Sequence, residues 1–318
     1  MAVLRHRNSE NHPMRQRLNR HHPLTNSILD FTRQPAFLFL LPTFVLLGAF
    51  VAIPLIYGFI LSFYQWSGFG PMTFVGLANF HRALTDTTFW HSMLRTLWYV
   101  MGTTIGCNIL GLCFALALFS RLRGWRFFRT LLFLSNVAPI TAMGILWALI
   151  LSPSNGLLNS IIQSLGLRHF EGLWLANPHL AMPLVIFVGI WQEVGIPMLL
   201  YSAGLNRISE ELFEAAKLDG AKGFRRLWSI TLPLLTPVMA VTTILLVVWS
   251  IQVFASIWVM TGGGPGYATY VVGLYLYHSG FGYSQFGYAN AMSIVVAIIA
   301  GVGMLGLLTV VKRINTIW

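Results

Sequence analysis

Four of the nine acidic residues of this 318-residue chain lie in one short stretch between two apolar segments. The stretch reads SEELFEAAKLDGAKGFRRLWSITLPLLTP and runs from Ser209 to Pro237. Its charged residues are four acids and four bases: Glu210, Glu211, Glu214, Asp219, Lys217, Lys222, Arg225 and Arg226. Charged residues that alternate with apolar ones at helical spacing are typical of an amphipathic surface. The stretch therefore predicts a charged docking surface at a membrane face.

The spacing within this stretch predicts a helix, a turn and a second helix. Ile208, Leu212 and Ala215 fall at i, i+4 and i+7 on one face, and the charged side chains form the opposite face. Asp219–Gly220 supplies the turn, because glycine adopts positive φ without a Cβ clash. A second short helix should follow. Pro233 should then lie in the first turn of the next apolar helix, where proline is tolerated.

Motifs of common catalytic and nucleotide-binding sites are absent from the sequence. It contains no G-x-x-x-x-G-K-[ST], no H-E-x-x-H and no G-x-S-x-G. Its two cysteines, Cys107 and Cys113, lie in one apolar segment about 9 Å apart along a helix, too far to pair. The chain is therefore expected to bind no nucleotide or metal of its own, and redox chemistry is not indicated.

One acid, Glu193, lies inside an apolar segment, next to Gln192. Inserting an acid near the middle of a bilayer costs on the order of 3 kcal/mol, so such a residue faces a helix-bundle interior or a wet cavity. Glu193 can line a solute pathway or form structural hydrogen bonds, and both roles remain open. Trp191 offers a face for stacking on a sugar ring, with packing as its alternative role.

Polar residues near the C-terminal end are the other candidates for a solute pathway. Gln252 and Ser256 are four residues apart and share a helix face with Trp249, whereas Ser250 points elsewhere. Asn290 lies in the last apolar segment. Amides, hydroxyls and tryptophans with almost no charge suit a neutral polyhydroxy solute. Each of these residues could instead join two helices by a hydrogen bond.

The composition places these residues in a membrane protein. Apolar residues make up 56% of the chain and charged residues 9%, whereas a soluble domain carries about 25% charged residues. Six apolar segments are long enough to cross about 30 Å of hydrocarbon. They are Phe37–Phe63, Met93–Phe119, Phe127–Leu151, Leu180–Ala203, Leu234–Met260 and Gln285–Val311. We therefore predict an all-α integral membrane protein with six transmembrane helices.

The distribution of Lys and Arg predicts the orientation of these helices. Seventeen of the twenty basic residues lie before the first segment, in alternate links or at the C-terminal end, and only Arg82, Arg95 and Arg168 lie on the other side. Cytoplasmic links carry such an excess. Both termini are therefore predicted to be cytoplasmic. The net charge of +11 is explained by this face and by anionic lipid rather than by nucleic acid.

Two regions follow from this pattern. Residues 1–34 are polar and rich in Arg and His, which predicts a flexible cytoplasmic tail. Residues 35–318 would form one six-helix transmembrane domain that includes the charged stretch as a cytoplasmic loop over 205–232.

The charged loop carries a motif that resembles a known family. Glu214-Ala215-Ala216-x-x-Asp219-Gly220-Ala221, followed by Ile230-x-Leu232-Pro233, resembles the EAA loop of permease subunits of bacterial binding-protein-dependent ABC importers. Further segments resemble the carbohydrate-uptake branch, specifically the first-type permease of maltose and glycerol-3-phosphate importers. They are Phe74–Phe80, Pro139 with Trp147, and Thr261–Pro265. The resemblance covers about residues 36–311.

This resemblance implies a type I importer-like bundle in the bacterial inner membrane, with half of the solute pathway in this chain and half in a second homologous permease subunit. ATP and Mg would be bound by a separate ATPase subunit, which the loop 205–232 would contact through Glu214, Ala215, Ala216, Asp219, Gly220 and Ala221. An extracytoplasmic solute-binding protein would contact the outer loops, including Gly262, Gly263, Gly264 and Pro265.

A sugar or oligosaccharide is the solute that the sequence favours, because a phosphate would want an arginine or a helix N-terminus. Glycerol-3-phosphate or a polyol is the alternative within the same importer class. An ion-coupled secondary transporter would favour several intramembrane acids and inverted repeats, and the sequence has one such acid and no convincing repeat. An integral-membrane enzyme would need clustered Asp, His or Glu at one face, and the clustered acids lie in the EAA-like loop.

Overall fold

A computed structural model of the protein describes residues 35–119, 124–170 and 172–315. The predicted tail, residues 1–34, lies outside the described residues. The α-helices are α1 (Pro35–Leu47), α2 (Ile53–Leu61), α3 (Ala78–Thr85), α4 (Thr87–Phe119), α5 (Trp125–Val137), α6 (Ile140–Ile150), α7 (Leu157–Ser164), α8 (Pro178–Glu193), α9 (Gly195–Leu205), α10 (Glu210–Leu218), α11 (Gly223–Arg226), α12 (Leu232–Ser250), α13 (Ala255–Met260), α14 (Val272–Tyr277) and α15 (Phe286–Asn315). Two short antiparallel strands, β1 (Tyr64–Gln65) and β2 (Thr73–Phe74), form a hairpin with Tyr64 opposite Phe74.

Short helical turns of other types join several of these helices. The 3-10 turns are Arg168–Phe170 and Trp174–Ala176, and the π turns are Gly48–Ala52, Leu227–Thr231 and His278–Gly282. The chain divides into two units, one ending at Tyr57 and one beginning at Gly58. In the first unit, the π turn precedes Pro54, whose ring nitrogen cannot donate a backbone hydrogen bond.

Four helical segments of the described chain are long and apolar enough to cross a membrane: Phe39–Leu61, Thr87–Phe119, Gly223–Ser250 and Phe286–Arg313. Two helix pairs meet the same criterion when each pair is taken together. The pair α5 and α6 is bent by 100°, and the pair α8 and α9 is bent by 47°. The prediction of a helical membrane chain is therefore confirmed, with four to six candidate spans.

Prolines explain why the third and fourth predicted spans are bent pairs rather than continuous helices. Ala138 is extended (ψ 141°) because Pro139 disfavours the helical conformation of the residue before it. In the fourth span, Pro197 lacks the N–H that would bond to the carbonyl of Glu193, and α8 ends there. Both breaks fall within the apolar segments and not at their ends.

The fifth predicted span, Leu234–Met260, is wrong at its C-terminal end. The α-helix α12 begins at Leu232, so Pro233 lies in its first turn, as predicted. The π turn Leu227–Thr231 joins α12 to α11, and the helical stretch as a whole begins at Gly223. The helix then ends at Ser250, and α13 is a separate short helix. Tertiary contacts outweigh hydropathy here, because Val253 is buried and the ring of Phe254 stacks on Trp258.

The largest buried cluster lies where α4, α8, α13 and α14 meet. Tyr99, Val185, Ile257 and Leu274 are four of its members. On the same face of α4, Gly102 and Gly106 lie directly against Ile186 and Ile190 of α8, respectively, with no room for a Cβ. The glycine pair therefore packs two helices of one chain together. Cys107 is buried and Cys113 is exposed, and both are free thiols.

Candidate functional site

The EAA-like loop contains one well-defined helix, α10. It carries Glu210 and Glu211 in its first turn and Lys217 in its last turn. This distribution of charge complements the helix dipole, because acids stabilise the N-terminal end and bases the C-terminal end. Glu214 is exposed in the middle of the helix. The helix predicted for this part of the loop is confirmed.

The residues Ala216, Gly220 and Ala221 form the C-terminal cap of α10. The backbone N–H of Ala221 donates to the carbonyl of Ala216 (2.8 Å), and the N–H of Gly220 donates to that of Lys217 (3.2 Å). Gly220 has φ +72°, and Ala216 and Ala221 are both buried. These are the two hydrogen bonds of a Schellman motif, with buried alanines at the two positions where an apolar contact commonly accompanies it. The spacing of the motif residues thus fixes where the helix ends and how the chain leaves it.

The predicted apolar face of α10 is not the face that packs on the rest of the chain. The inward side chains are Phe213, whose ring lies 6.0 Å from that of Phe119, and Ala216. Leu212 and Ala215 are exposed, and Leu218 is 90% exposed. The spacing placed Ile208, Leu212 and Ala215 on one face, and the structure packs Phe213 and Ala216 on the chain instead. The helix therefore presents a mixed surface of acidic and apolar side chains.

The second helix of the loop presents further exposed aromatic residues. Phe224 and Trp228 are 73% and 59% exposed, and their ring centroids lie 5.9 Å apart. The guanidinium of Arg226 lies 5.4 Å from the ring of Phe213, which ties this helix to α10. The π turn Leu227–Thr231 continues this helix into α12, so the loop is joined to a candidate membrane span without a break in the helical stretch.

Three hydrogen bonds join the two helix breaks. Ser135 Oγ donates to the carbonyl of Trp191 (3.0 Å), and Asn136 Nδ2 donates to that of Gln192 (3.3 Å). In return, Gln192 Nε2 donates to the carbonyl of Ala138 (3.2 Å). We call these three bonds the break clamp. They supply partners to carbonyls near the points where the helices are interrupted. Gln192, predicted to line a solute pathway, therefore has a structural partner.

Glu193 lies beside the break clamp without a partner for one of its carboxylate oxygens. Within the described ranges, Oε2 of Glu193, Nε1 of Trp147 and Oγ of Ser256 are buried and make no hydrogen bond. Buried polar atoms without partners call for an explanation, such as a bound solute or water. Glu193 and Ser256 thus remain candidates for the pathway.

The other predicted pathway residues do not share one surface. Because α12 ends at Ser250, Gln252 and Ser256 do not follow Trp249 on one helix face. Gln252 Nε2 donates to the carbonyl of Val248 (2.8 Å), and Ser250 Oγ accepts from Thr103 Oγ1 (2.9 Å). Trp249 is 39% exposed.

Asn290 belongs to α15 and lies in a different place. Its Nδ2 donates to the carbonyl of Phe286 (2.8 Å), and its Oδ1 lies against Gly58.

A cavity of about 740 Å³ lies between α4, α5, α6 and α8. Its lining is mainly apolar and includes Trp191 and the polar Ser135. None of the seven predicted pathway residues lines this cavity.

The glycine-rich segment after α13 forms a loop, as predicted. Gly262 and Gly263 have φ +59° and +91°. Thr269 Oγ1 lies 2.7 Å from Thr261 Oγ1 and donates to the carbonyl of Gly264 (2.8 Å). Gly263 is buried against Tyr270, whereas Gly262, Gly264 and Pro265 are at least partly exposed. Only the latter three can therefore touch a partner directly.

An acid-tyrosine cluster, made of Asp86, Tyr275 and Tyr288, was missed by sequence reasoning. Asp86 Oδ2 accepts hydrogen bonds from the hydroxyls of Tyr275 and Tyr288, both at 2.5 Å. Its Oδ1 accepts from the backbone N–H groups of Thr88 (2.8 Å) and Phe89 (3.3 Å) and so caps α4. The only local signal was an aspartate before a helix, since both tyrosines are far away in sequence.

Hydrogen bonding controls the ionisation of this cluster. Burial acts to raise the pKa of Asp86, but the two tyrosine and two backbone hydrogen bonds outweigh it and hold the pKa below its ordinary value. Burial and the bond to Asp86 raise the pKa of Tyr275 to about 12. Asp86 is therefore a charged acceptor at neutral pH and Tyr275 a neutral donor.

Replacing Asp86 with alanine should destabilise the protein by about 2–4 kcal/mol, because it removes a helix cap and leaves two tyrosine hydroxyls without their acceptor. Since folding lowers the pKa of Asp86, its contribution is fully present above pH ~4 and is lost as the pH falls further. Thermal unfolding of the detergent-solubilised protein between pH 3 and 7 measures both effects. The variant Asp86→Asn should lose less stability at neutral pH, and equal melting temperatures for D86A and wild type would contradict the assignment.

Comparison with solved structures finds a chain of similar fold. The chain superimposes with a TM-score of 0.77 on a chain of a bacterial alginate ABC transporter in complex with an alginate pentasaccharide-bound periplasmic protein, covering 91% of this chain and 97% of that one. The sequence identity is 24%, so the likeness concerns the fold alone.

Comparison with protein families and curated sequences identifies the family. Residues 107–317 match the binding-protein-dependent transport system inner membrane component. The probable ABC transporter permease protein YurN of Bacillus subtilis is 38% identical over 267 residues, 83% of this chain and 91% of that protein. The trehalose/maltose transport system permease protein MalF of Thermococcus litoralis is 34% identical over 277 residues, 87% and 93% of the two chains. The chain belongs to this family. It is a permease subunit of an ABC importer in the inner membrane, a transport component rather than an enzyme.

Proposed function

We propose that this chain forms half of the pathway of a sugar or oligosaccharide importer and is driven by a separate ATPase through the loop 205–232. The solute class is inferred from relatives, which include permeases named for trehalose/maltose, multiple sugars and diacetylchitobiose uptake. A pathway almost free of charge is consistent with a neutral solute. Glycerol-3-phosphate or a polyol is the alternative within the same class.

The exposed surface of α10 is the observation that carries the coupling proposal. A helix that displays Glu214 and Leu218 outward, and that ends in a rigid cap, has a surface suited to a cleft of another protein. The ATPase partner would hold ATP and Mg, because this sequence has no P-loop. We further infer six transmembrane helices with both termini in the cytoplasm, with the two bent pairs each counted as one span.

The remaining partners follow from the family. A second homologous permease subunit would complete the pathway, and an extracytoplasmic solute-binding protein would deliver the solute to the outer loops, including exposed Gly262, Gly264 and Pro265. Residues 1–34 would serve as a basic tail near anionic lipid, and residues 35–318 as the permease domain.

A solute panel tests the proposal. The solute-binding protein that copurifies with the importer should gain thermal stability with one or a few neutral saccharides, by RT ln(1 + [L]/Kd). The same saccharide should be taken up by proteoliposomes that contain both permeases and the ATPase, and only with ATP inside. A response to glycerol-3-phosphate alone would favour the alternative, and uptake driven by an ion gradient without ATP would contradict the proposed function.

A further inference from the structure

A polar pocket of about 310 Å³ lies on the side of the chain opposite the loop 205–232 in the proposed topology. It is bounded by the segment around β1 and α3 and by the segment that leads into α15. The side chains that matter for its chemistry are Gln65, Trp66, Asn79, Arg82, Gln285 and Tyr288. None of these residues belongs to the coupling loop or to the predicted pathway.

The walls of this outer pocket are held by backbone contacts. Asn79 Nδ2 donates to the carbonyls of Ser62 and Tyr64, both at 3.0 Å. The backbone N–H of Phe286 donates to the carbonyl of Trp66 (3.1 Å) and joins the two sides. The pocket is therefore formed before any partner arrives, which reduces the entropic cost of binding.

Arg82 is the cation of the pocket, and its side chain lies on an aromatic ring. Its guanidinium lies 4.0 Å from the centroid of the Tyr288 ring. The Tyr288 hydroxyl is held in turn by Asp86, so the acid-tyrosine cluster orients the surface on which Arg82 rests. Guanidinium groups on aromatic faces keep their N–H donors free for a planar anion.

No acid of the described residues neutralises Arg82 by an ion pair. The nearby carboxylate, Asp86, already accepts four hydrogen bonds, two from tyrosines and two from backbone N–H groups. Asp86 is also the one acid described in the outer links, where Arg82 and Arg168 are the described Lys or Arg residues. Among the described residues of the outer links, no acid is free to neutralise Arg82, so the surface around it is complementary to an acidic partner.

We propose that the outer pocket receives a carboxylate side chain of the solute-binding protein, held by Arg82 and by the amides of Gln65 and Gln285. The inference rests on the proposed function, since it assumes a binding protein on this side. A bidentate carboxylate would satisfy the guanidinium, and the two amides supply additional N–H donors. The contact would fix the register of the binding protein on the permease.

Titration of the binding protein against the assembled importer in nanodiscs tests this contact. The probe is the solute-binding protein that copurifies with the wild-type complex. Arg82→Gln should weaken its binding by about 5- to 10-fold and reduce the salt dependence of Kd, because one charged contact is lost. Arg168→Gln, a matched control on another outer link, should change Kd by less than about twofold. The basal ATPase rate of both variants should equal that of the wild type, which checks folding and assembly.

A charge exchange provides the second test. Arg82→Glu should weaken binding further, and one acidic surface residue of the binding protein, when replaced by lysine, should restore it. Equal affinities for Arg82→Gln, Arg168→Gln and wild type would overturn the assignment of the pocket while leaving the proposed function intact. Failure of the wild-type complex to respond to any binding protein would instead contradict the proposed function and, with it, this inference.

Discussion

Replacing Gly220 with valine should lower solute uptake by at least about tenfold while the subunit still inserts and assembles. Gly220 has φ +72°, which a residue with a Cβ adopts at a cost of roughly 1–2 kcal/mol, and a β-branched residue is worse. The cap formed by the Ala221 and Gly220 N–H groups would be lost, and α10 would leave the chain in another direction. Uptake into proteoliposomes, together with the ATPase rate, measures the uncoupling.

Two matched variants make the Gly220 result specific. Gly220→Asn should retain most uptake, because asparagine tolerates positive φ better than other residues. Gly301→Val, at a helix position with open space around it and no positive φ, should leave transport unchanged. Wild-type uptake in Gly220→Val would contradict the role of the cap, and loss of the protein from the membrane would show a folding defect instead.

Removing hydrogen bonds of the break clamp should cause the second-largest loss of solute uptake. The double variant Asn136→Leu and Gln192→Leu removes two of its three hydrogen bonds, each worth about 0.6–2 kcal/mol inside a membrane. Since α9 leads from this clamp directly to the coupling loop, the two bent helix pairs should no longer move together. We expect uptake to fall by about tenfold, which corresponds to 1.4 kcal/mol of coupling, with ATP hydrolysis retained.

Controls for this prediction lie on the same helices. Thr130→Val on α5 removes only a hydrogen bond to the carbonyl of Arg126 in its own helix, so uptake should stay within twofold of wild type. Ser135→Ala removes the third bond of the clamp without changing Gln192, which separates the clamp from any contact of Gln192 with solute. Unchanged uptake in both the double variant and Ser135→Ala would show that the breaks are not coupled by these bonds.

Local chemistry made the helical end at Gly220 predictable, whereas distant contacts did not follow from the sequence. The cap of α10 depends on residues within five positions, so the Asp219–Gly220 turn could be inferred directly. The burial of Phe213 instead of Leu212 depends on Phe119 in another helix. Helical spacing reports which residues share a face, but not which face meets the rest of the chain.

The difference between local and distant contacts also explains which features of the spans and of the sites could be predicted. Hydropathy located all the apolar segments, yet it could not show that α12 ends at Ser250, because that end depends on the packing of Val253 and Phe254. Asp86 meets tyrosines 189 and 202 positions away. No pattern in a single sequence joins residues so far apart, and the outer pocket remained invisible for that reason.

The length of the helical stretch from Gly223 to Ser250 determines how far a rotation at one end displaces the other end. Twenty-eight residues at 1.5 Å per residue span about 42 Å, and the stretch begins within the loop 205–232. If that end is pivoted by 10°, the far end of a helical stretch about 42 Å long sweeps about 7 Å. Under the proposed coupling, a small displacement of the loop by the ATPase would become a larger displacement at the other end of this stretch.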